Sequence, residues 1–317
     1  MDITREEASR FLLERDGFLI LTHKRPDGDT IGCAAALCRA LRGKGKTAWV
    51  LPNEGTTAHF TSYLEGLLAP EGFTPDTVVA VDLASRGLFP QNAEGWTDKV
   101  DLCIDHHPSN EKYARLCCVE SDKAACGEIL YAILAAWGAL TPETALPLYL
   151  AVSTDTGCFV YANTTANTHR VAAALMETGI DFAPLNKLHF RTKSYTRLRV
   201  EGRMIDTLDL RQKGTVALAS LSLADLRELE AKEEDLEDIA AVAGQLEGVR
   251  TAVTIREITP GSCKLSVRTH SELNASRVCA LLGGGGHAQA AGCTVAGTVA
   301  EAKEAIMAAI EKVQAEG

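Results

Sequence analysis

Four short stretches of the chain concentrate side chains that can hold a metal or move a proton. The first is His23-x-x-x-Asp27-x-Asp29, an imidazole and two carboxylates in the loop HKRPDGDTIGC that follows the apolar run FLILT at 18–22. The second is Asp82, which closes TVVAVD, and the third is Asp105-His106-His107, which closes VDLCID. The fourth is Asp155, within STDTGCF at the end of an apolar segment. Taken singly, an aspartate at a strand end is more often a turn residue or helix cap than a ligand. Taken together, aspartates 27, 29, 82 and 155 with histidines 23, 106 and 107 make a set of O and N donors without cysteine, which suits Mn²⁺, Mg²⁺ or Zn²⁺. Four clustered aspartates repel one another strongly, and two divalent ions would neutralise them. Ions roughly 3.5–4 Å apart on a bridging carboxylate activate water for hydrolysis.

These groups meet only if the elements around them bring them to one edge. Thr4 and Glu7 have the spacing of a capping box ahead of Ala8, Phe11 and Leu12, and the β-type run 18–22 follows. Ile31, Ala34, Leu37, Cys38 and Leu41 recur at helical spacing until Gly43 and Gly45, after which Thr47–Leu51 reads as a strand. Thr77–Val81 and Val100–Ile104 read as short buried strands; Gly127–Trp137, Pro142–Val152 and Asn167–Thr178 read as helices, with Pro147 predicted to kink the second. The alternation predicts an α/β fold, a parallel sheet with helices on both faces. Ligands bind such sheets outside the carboxyl ends of the strands, and three of the four groups directly follow predicted strands.

At 317 residues and 33.9 kDa the chain has room for two domains. The boundary is predicted near the basic stretch LNKLHFRTKSYTRLRVEGRMIDTLDLRQKG, giving a metal-binding domain over 1–185, a linker over 186–212 and a smaller α+β domain over 213–317. In the latter, strands are predicted at 216–221, 251–258 and 263–269, an acidic helix at 223–247 and a helix from Asn274. The run ELEAKEEDLED reads as a solvated face. With 46% hydrophobic and 23% charged residues the chain is of the folded, globular class. No apolar stretch approaches the roughly 18–20 residues of a membrane span, and the N-terminus lacks the pattern of a secretory signal, so a cytoplasmic location and no membrane partner are expected. The ten cysteines show no C-x-x-C spacing and are expected reduced, as small buried hydrophobes.

A net charge of −10 argues against a protein that grips long duplex DNA by neutralising many phosphates. With only 5% aromatic residues, a long stacking groove is not expected either, and short anionic substrates remain. Arg191, Lys193, Arg197 and Arg199 form a small basic stripe that could guide such a substrate or lie on a solvated helix. His59, His169, His189 and His270 have no partner motif and read as structural or surface residues. In the second half, Gly283-Gly284-Gly285-Gly286-His287 follows the strand KLSVRTH that carries Arg268. Glycines let backbone N–H groups approach an anion, and Arg268 and His287 could pair with phosphate; a flexible turn accounts for the same residues. Neither G-x-G-x-x-G nor a P-loop is present.

The set HKRPDGDTIG (23–32), VD (81–82), DHH (105–107), STDTGCF (153–159) and GGGGHAQAAG (283–292) resembles the DHH phosphoesterase superfamily, in its two-domain form with a C-terminal DHH-associated domain. The resemblance covers nearly the whole chain. It implies an active site in the cleft between the domains, with one metal on His23, Asp27 and Asp82, another on Asp29, Asp82, His106 and Asp155, and Mn²⁺ as the usual ion, Mg²⁺ being the alternative. It further implies that His107 faces the scissile phosphate, that Asp105 orients His106, and that Arg268, Gly284, Gly285, Gly286 and His287 bind the substrate. Cys33 and Thr269 stand where the family commonly has serine. The activity implied is metal-assisted phosphoester hydrolysis of the nanoRNase type, taking short oligonucleotides to mononucleotides and 3′-phosphoadenosine-5′-phosphate to AMP. The alternatives are a phosphodiesterase for linear di-adenylate and a non-catalytic nucleotide sensor. A homodimer is compatible with this reading.

Overall fold

The computed structural model describes residues 1–236, 239–270 and 272–316. The chain divides into two compact units, Met1–Thr192 and Lys193–Gly317. Among the described residues, no helix is long and apolar enough to cross a membrane.

The first unit runs α1 (Arg5–Glu14), β1 (Phe18–Leu21), α2 (Gly28–Gly43), β2 (Ala48–Val50), the single turn α3 (Ala58–Thr61), β3 (Thr77–Val81), β4 (Leu102–Asp105), β5 (Leu116–Val119), α4 (Cys126–Ala136), α5 (Pro142–Asp155), α6 (Ala166–Glu177) and α7 (Phe182–Asn186). The Thr4 hydroxyl accepts from the Glu7 N–H at 3.2 Å and Glu7 accepts from the Thr4 N–H at 2.7 Å, so α1 starts at the expected box. The five strands are all parallel in the order β2-β1-β3-β4-β5. The chain steps outward from β1 to β2 and then returns to the other side of β1 to form β3, so the direction of winding reverses between β1 and β3. Such a switch point leaves a crevice at the carboxyl ends of the two strands. Leu21 lies beside Ala80 and Val81 beside Ile104, which brings the residues following β1, β3 and β4 to one edge.

Side-chain alternation divides the strands between two cores. Phe18, Ile20, Val79, Val81, Leu102 and Ile104 face α1, α2, α4, α5 and α6. Leu19, Leu21, Val78, Ala80 and Cys103 face the other way, onto Phe89, Ala93 and Trp96. That second face is covered by 3₁₀ turns, Arg86–Leu88 and Gln91–Trp96, together with loops, while the α-helices gather on the first. All ten cysteines are outside disulfides and nine are buried.

The helices that carry two of the aspartates cross at a glycine. A Cβ on Gly32 of α2 would lie 2.2 Å from the carbonyl oxygen of Pro147 in α5. Pro147, predicted as a kink, lies inside a single helix, Pro142–Asp155. It lacks the N–H that would pair with the carbonyl of Glu143, and the Arg39 guanidinium of α2 donates to that carbonyl at 2.9 Å. The proline therefore creates an attachment point for the neighbouring helix.

The second unit contains α8 (Tyr195–Asp206), β6 (Asp209–Arg211), β7 (Val216–Leu221), α9 (Leu223–Glu228), β8 (Thr251–Thr259), β9 (Ser262–Thr269), α10 (Ala275–Ala280), β10 (Gly285–Gly286), β11 (Ala290–Ala296) and α11 (Val299–Glu316). Its sheet, β10-β11-β9-β8-β7-β6, is antiparallel except for the β7–β8 pair. Residues 186–212, predicted as a linker, hold the π-helical turn Lys187–Arg191 at the end of the first unit, then α8 and β6. Val200 and Met204 of α8 are buried against β7 and β8 residues, which makes the helix part of the second core. The acidic helix predicted at 223–247 is broken. It stops after Glu228, Glu230 takes a left-handed φ of 52°, and short 3₁₀ segments follow at Glu233–Leu236 and Ile239–Gln245. The last two residues of ELEAKEEDLED lie outside the described residues.

Gly32→Ala places a methyl against a backbone carbonyl that cannot rotate away, an overpacking that costs about 1–3 kcal/mol. The variant is expected to unfold at lower denaturant, read by circular dichroism.

Candidate metal centre

The loop after β1 is held by its neighbours. Asn53 donates to the Thr22 hydroxyl at 3.0 Å and to the His23 carbonyl at 2.8 Å, and the Lys24 N–H donates to the Leu88 carbonyl at 2.7 Å. Asp27 caps α2: its Oδ1 accepts from the N–H groups of Asp29 and Thr30 at 3.0 and 3.2 Å. The other oxygen, Oδ2, stays 3.5 Å from His23 Nε2. Burial raises the Asp27 pKa, but the His23 ring and the capped N–H groups outweigh it and the group titrates below the usual range.

Asp29 is 1% exposed and reaches the N-terminus of α4, where its two oxygens accept from the Cys126 N–H at 2.7 Å and the Gly127 N–H at 3.0 Å. Ala125, at the N-cap of that helix, has no side-chain oxygen to do this, so Asp29 supplies the negative charge that the helix end favours. Its Oδ2 is 3.8 Å from His106 Nε2.

Asp82 is held differently. Its backbone takes a left-handed φ of 52° and its N–H donates to the Ile104 carbonyl at 2.9 Å, turning the side chain into the crevice. The carboxylate is 3% exposed. Oδ2 is 3.8 Å from His23 Nε2; Oδ1 is 3.5 Å from His106 Nε2 and 3.6 Å from His107 Nδ1. Oδ1 is buried and has no hydrogen-bond partner among the described residues. Leaving a buried acceptor unsatisfied costs on the order of 1–3 kcal/mol, and more for a charged one.

The DHH segment divides its work. His106 Nδ1 lies 3.2 Å from the Lys123 carbonyl, which fixes the proton there and leaves Nε2 to face Asp29, Asp82 and Asp155, the last at 3.4 Å. Asp105, expected to orient the His106 ring, holds His107 instead: its Oδ1 accepts from His107 Nδ1 at 2.7 Å and from the His106 N–H at 2.8 Å. Asn110 donates to Oδ2 at 2.6 Å. The two rings, with centroids 4.5 Å apart, take different anchors, His107 the buried Asp105 at the strand end and His106 the Lys123 carbonyl of the next loop. The Asp105 hydrogen bond raises the pKa of His107 above its ordinary value. Asp155, at the end of α5, has its backbone carbonyl tied by Asn163, which donates to it and to the Ala124 carbonyl, both at 3.1 Å.

His23, Asp27 and Asp82 thus offer ligand atoms within 4.8 Å of one another, as do Asp29, His106 and Asp155, and a third set of Asp82, His106 and His107 lies between them by sharing Asp82 with the one and His106 with the other. Burial, and then the nearby carboxylates, push Asp29 and Asp82 well above the usual carboxylate range. Burial likewise pushes Asp155 up to about 6, against the attraction of His106. Orphaned Oδ1, the O and N donor set and this mutual repulsion all fit divalent cations. Asn53, Asn110, Asn163 and the Lys123 carbonyl escaped the sequence reading; none belongs to a spaced motif, and a backbone carbonyl carries no residue signature.

In the second unit, β10 and β11 form a hairpin in which Gly285 pairs with Gly292 and Gly286 with Ala291. Two glycines of the run therefore form a strand, and the tight turn after them is His287–Ala290. A Cβ on Gly284 would lie 2.2 Å from the Gly292 carbonyl, and Gly286 has φ +146°. The His287 N–H closes the turn on the Ala290 carbonyl at 2.8 Å. Arg268 is paired with Ala290 across β9 and β11, beside that turn.

The parallel sheet, the switch point and the acid and imidazole edge define a class. Residues 17–152 match the DHH family, N-terminal domain, and residues 214–316 match the DHHA1 domain. The chain belongs to the DHH family of phosphoesterases. It is 33% identical over 299 residues to the bifunctional oligoribonuclease and PAP phosphatase NrnA of Thermus thermophilus, covering 92% of this chain and 89% of that one. An exopolyphosphatase-related protein from Bacteroides fragilis has the same fold, with a TM-score of 0.86 at 23% identity over 97% of this chain and 96% of that one. RecJ of Thermus thermophilus, solved in complex with Mn²⁺, superimposes with a TM-score of 0.51 at 16% identity, over 99% of this chain and 55% of RecJ.

Asp155→Asn removes one of the repelling charges. A carboxylate whose folded pKa is raised binds more protons in the folded than in the unfolded state, so the metal-free fold loses stability as pH rises from about 4 to about 6 and stays lower above that. At pH 7.5 the metal-free variant is expected to melt higher than the parent, by about 2–4 °C per kcal/mol of repulsion removed. Its gain in melting temperature on adding Mn²⁺ is expected to be smaller. Differential scanning calorimetry with and without Mn²⁺ measures both.

Proposed function

We propose that the chain is a two-metal phosphoester hydrolase that cleaves short oligoribonucleotides to mononucleotides and removes the 3′-phosphate of 3′-phosphoadenosine-5′-phosphate. The observation that carries this reading is Asp82, whose two buried oxygens each face one of the two ligand groups, with Oδ1 lacking any donor among the described residues. Asp82 would be the ligand common to both ions, His23 and Asp27 completing one set and Asp29, His106 and Asp155 the other. Oxygen and imidazole donors without thiolate suit Mn²⁺, with Mg²⁺ as the alternative. When bound, such ions neutralise the acids, activate water and polarise phosphoryl oxygens.

The remaining steps fall to the protein. His107 keeps its Nδ1 proton on Asp105, and its side chain is 41% exposed, so Nε2 is the nitrogen available to substrate. The Asp105 carboxylate favours the imidazolium, which suits His107 to hydrogen-bond a non-bridging phosphoryl oxygen or to hand a proton to the leaving oxygen. Asn110 keeps Asp105 from rotating away. Arg268, Gly284, Gly285, Gly286 and His287 would bind an anionic group of the substrate, through the Arg268 guanidinium and the His287 imidazole beside a glycine hairpin that carries no obstructing side chain. The bifunctional oligoribonuclease and PAP phosphatase activity of the Thermus relative supports the substrate pair. The net charge of −10 supports a preference for few phosphates over a long strand.

The test is product analysis on metal-stripped protein given back Mn²⁺, with 3′-phosphoadenosine-5′-phosphate, a diribonucleotide, linear di-adenylate and a labelled 24-mer offered in parallel. Mononucleotides from the dimers and phosphate from the bisphosphate are expected, with little turnover of the 24-mer and none of any substrate by Asp82→Ala. Equal rates on the 24-mer and the dimers would overturn the size preference, and metal-independent turnover would overturn the chemistry.

Arg268→Ala is expected to raise KM for the diribonucleotide roughly ten- to hundredfold, the worth of a hydrogen bond to a charged group, with a smaller change in kcat. Steady-state kinetics separates the two.

A further inference from the structure

We propose that Tyr161 is a stacking platform for a nucleobase of the substrate, held beside the acidic cluster by the turn that follows Asp155. The proposal rests on the nucleotide-hydrolase reading above and adds a residue that recognises the base, where the metal ligands and Arg268 address phosphate.

The turn is unusual in its backbone. Gly157, Cys158 and Phe159 take left-handed φ values of 56°, 56° and 67° in succession. For residues other than glycine that conformation is costly and persists where the surroundings impose it. Here the Phe159 ring is stacked on His169 at 5.2 Å and meets Tyr149 edge-on at 6.2 Å. The Thr156 hydroxyl accepts from the Phe159 N–H at 3.2 Å, and the Thr156 carbonyl accepts from the N–H groups of Val160 and Tyr161. Asn163 ties the returning chain to the carbonyl of Asp155. The left-handed run therefore folds the chain back over the end of α5, where the candidate ligand lies.

What the turn presents is Tyr161. Its ring occupies the space where a Cβ on Gly157 would be, with ring atoms at 2.4–2.7 Å from that position, while the residue stays 60% exposed. Glycine at 157 thus serves the backbone and seats the ring. Among the described residues only Tyr161 and Tyr195 are exposed aromatics, and Tyr161 is the one in the unit that holds the acids. An exposed aromatic face on which a base can stack, next to groups that handle phosphate, is a means by which proteins hold single-stranded nucleotides irrespective of sequence. A ring fixed in advance loses little entropy on binding.

The experiment uses full-length protein with Mn²⁺ and a hydrolysis-resistant dinucleotide carrying 2-aminopurine at its 5′ or 3′ position, and follows fluorescence. The parent is expected to bind and to quench at least one of the two positions. Tyr161→Phe should keep both properties, whereas Tyr161→Ala and Tyr161→Leu should lose the quenching and bind roughly ten- to hundredfold more weakly. Leucine keeps apolar contact with Gly157 without a π face, so its loss of quenching reads stacking separately from folding, and unchanged melting and Mn²⁺ response check the fold. An abasic dinucleotide should bind parent and Tyr161→Leu alike. Equal binding and quenching by parent and Tyr161→Leu would overturn the stacking proposal and leave the substrate reading intact. A parent that binds Mn²⁺ but no dinucleotide would overturn the substrate reading, and this proposal with it.

Discussion

Negative charge in a small dry volume is the constraint that organises the first unit. Asp29, Asp82 and Asp105 are each no more than 3% exposed, and Asp27 and Asp155 stand beside them. A desolvated carboxylate must find donors, be protonated or take a cation. The fold gives each acid a different answer. Asp27 spends one oxygen on the first turn of α2, Asp29 rests on the N-terminus of α4, and Asp105 is saturated by the His107 ring, Asn110 and two backbone N–H groups. Asp82 has no such donors on Oδ1, and it is the residue that stands between the two ligand groups. Cation demand is therefore highest at the point from which both groups are reached.

Holding repelling groups together requires a scaffold that does not yield. The crossing of α2 and α5 provides it: Asp29 lies at the start of one helix and Asp155 at the end of the other. Gly32 lets the helices approach to backbone contact, and Arg39 ties α2 to the carbonyl that Pro147 leaves open. Thr30 adds a bond from α2 to the end of β3, its hydroxyl donating to the Val81 carbonyl at 2.9 Å, one residue from Asp82. Helix and strand packing thus fix three of the acids relative to one another before any ion arrives. This is the preorganisation that a metal site needs if binding is not to be spent on ordering the protein.

Much of this was legible in the sequence, because the groups that do chemistry sit at the ends of apolar runs and the runs declare themselves by period. The runs read at 18–22, 77–81 and 100–104 correspond to β1, β3 and β4, and the capping box to the start of α1, all from local pattern, whereas β5 and the strand order come from pairing that the local pattern does not encode. The less legible parts have physical reasons. Strand β11 is AAGCTVA, whose small residues give no alternation, and it exists by pairing with β9 along its whole length. Helix α11 does show buried positions at 302, 306, 310 and 313, a spacing of three to four that the glycine run overshadowed. The roles of Asp105 and Lys123 depend on which ring each reaches, and two adjacent histidines cannot be told apart until the loop at 123 is folded against them. Asn110 and Asn163 act on backbone or on a second acid, contacts that leave no spacing to read.

Backbone strain follows the same logic as charge. Among the described non-glycine residues with left-handed φ, Gln212, Lys213 and Glu230 belong to the second unit, whereas in the first Asp82 is itself one of the acids, Cys158 and Phe159 closely follow Asp155, and the Lys112 N–H bonds the Asn110 that holds Asp105. In an ordinary turn, glycine removes such strain at no loss. At 82 it cannot, because the side chain is the group the crevice is built around, and aspartate is among the residues that tolerate this region best. The strand β3 must therefore end in a conformation it would not choose, closed by the bond from the Asp82 N–H to the Ile104 carbonyl of the next strand. That bond exists only because β3 and β4 are in register. The aim of one carboxylate thus rests on the pairing of two buried strands, which is why the most demanding side chain of the site follows the interior strand beside the switch point.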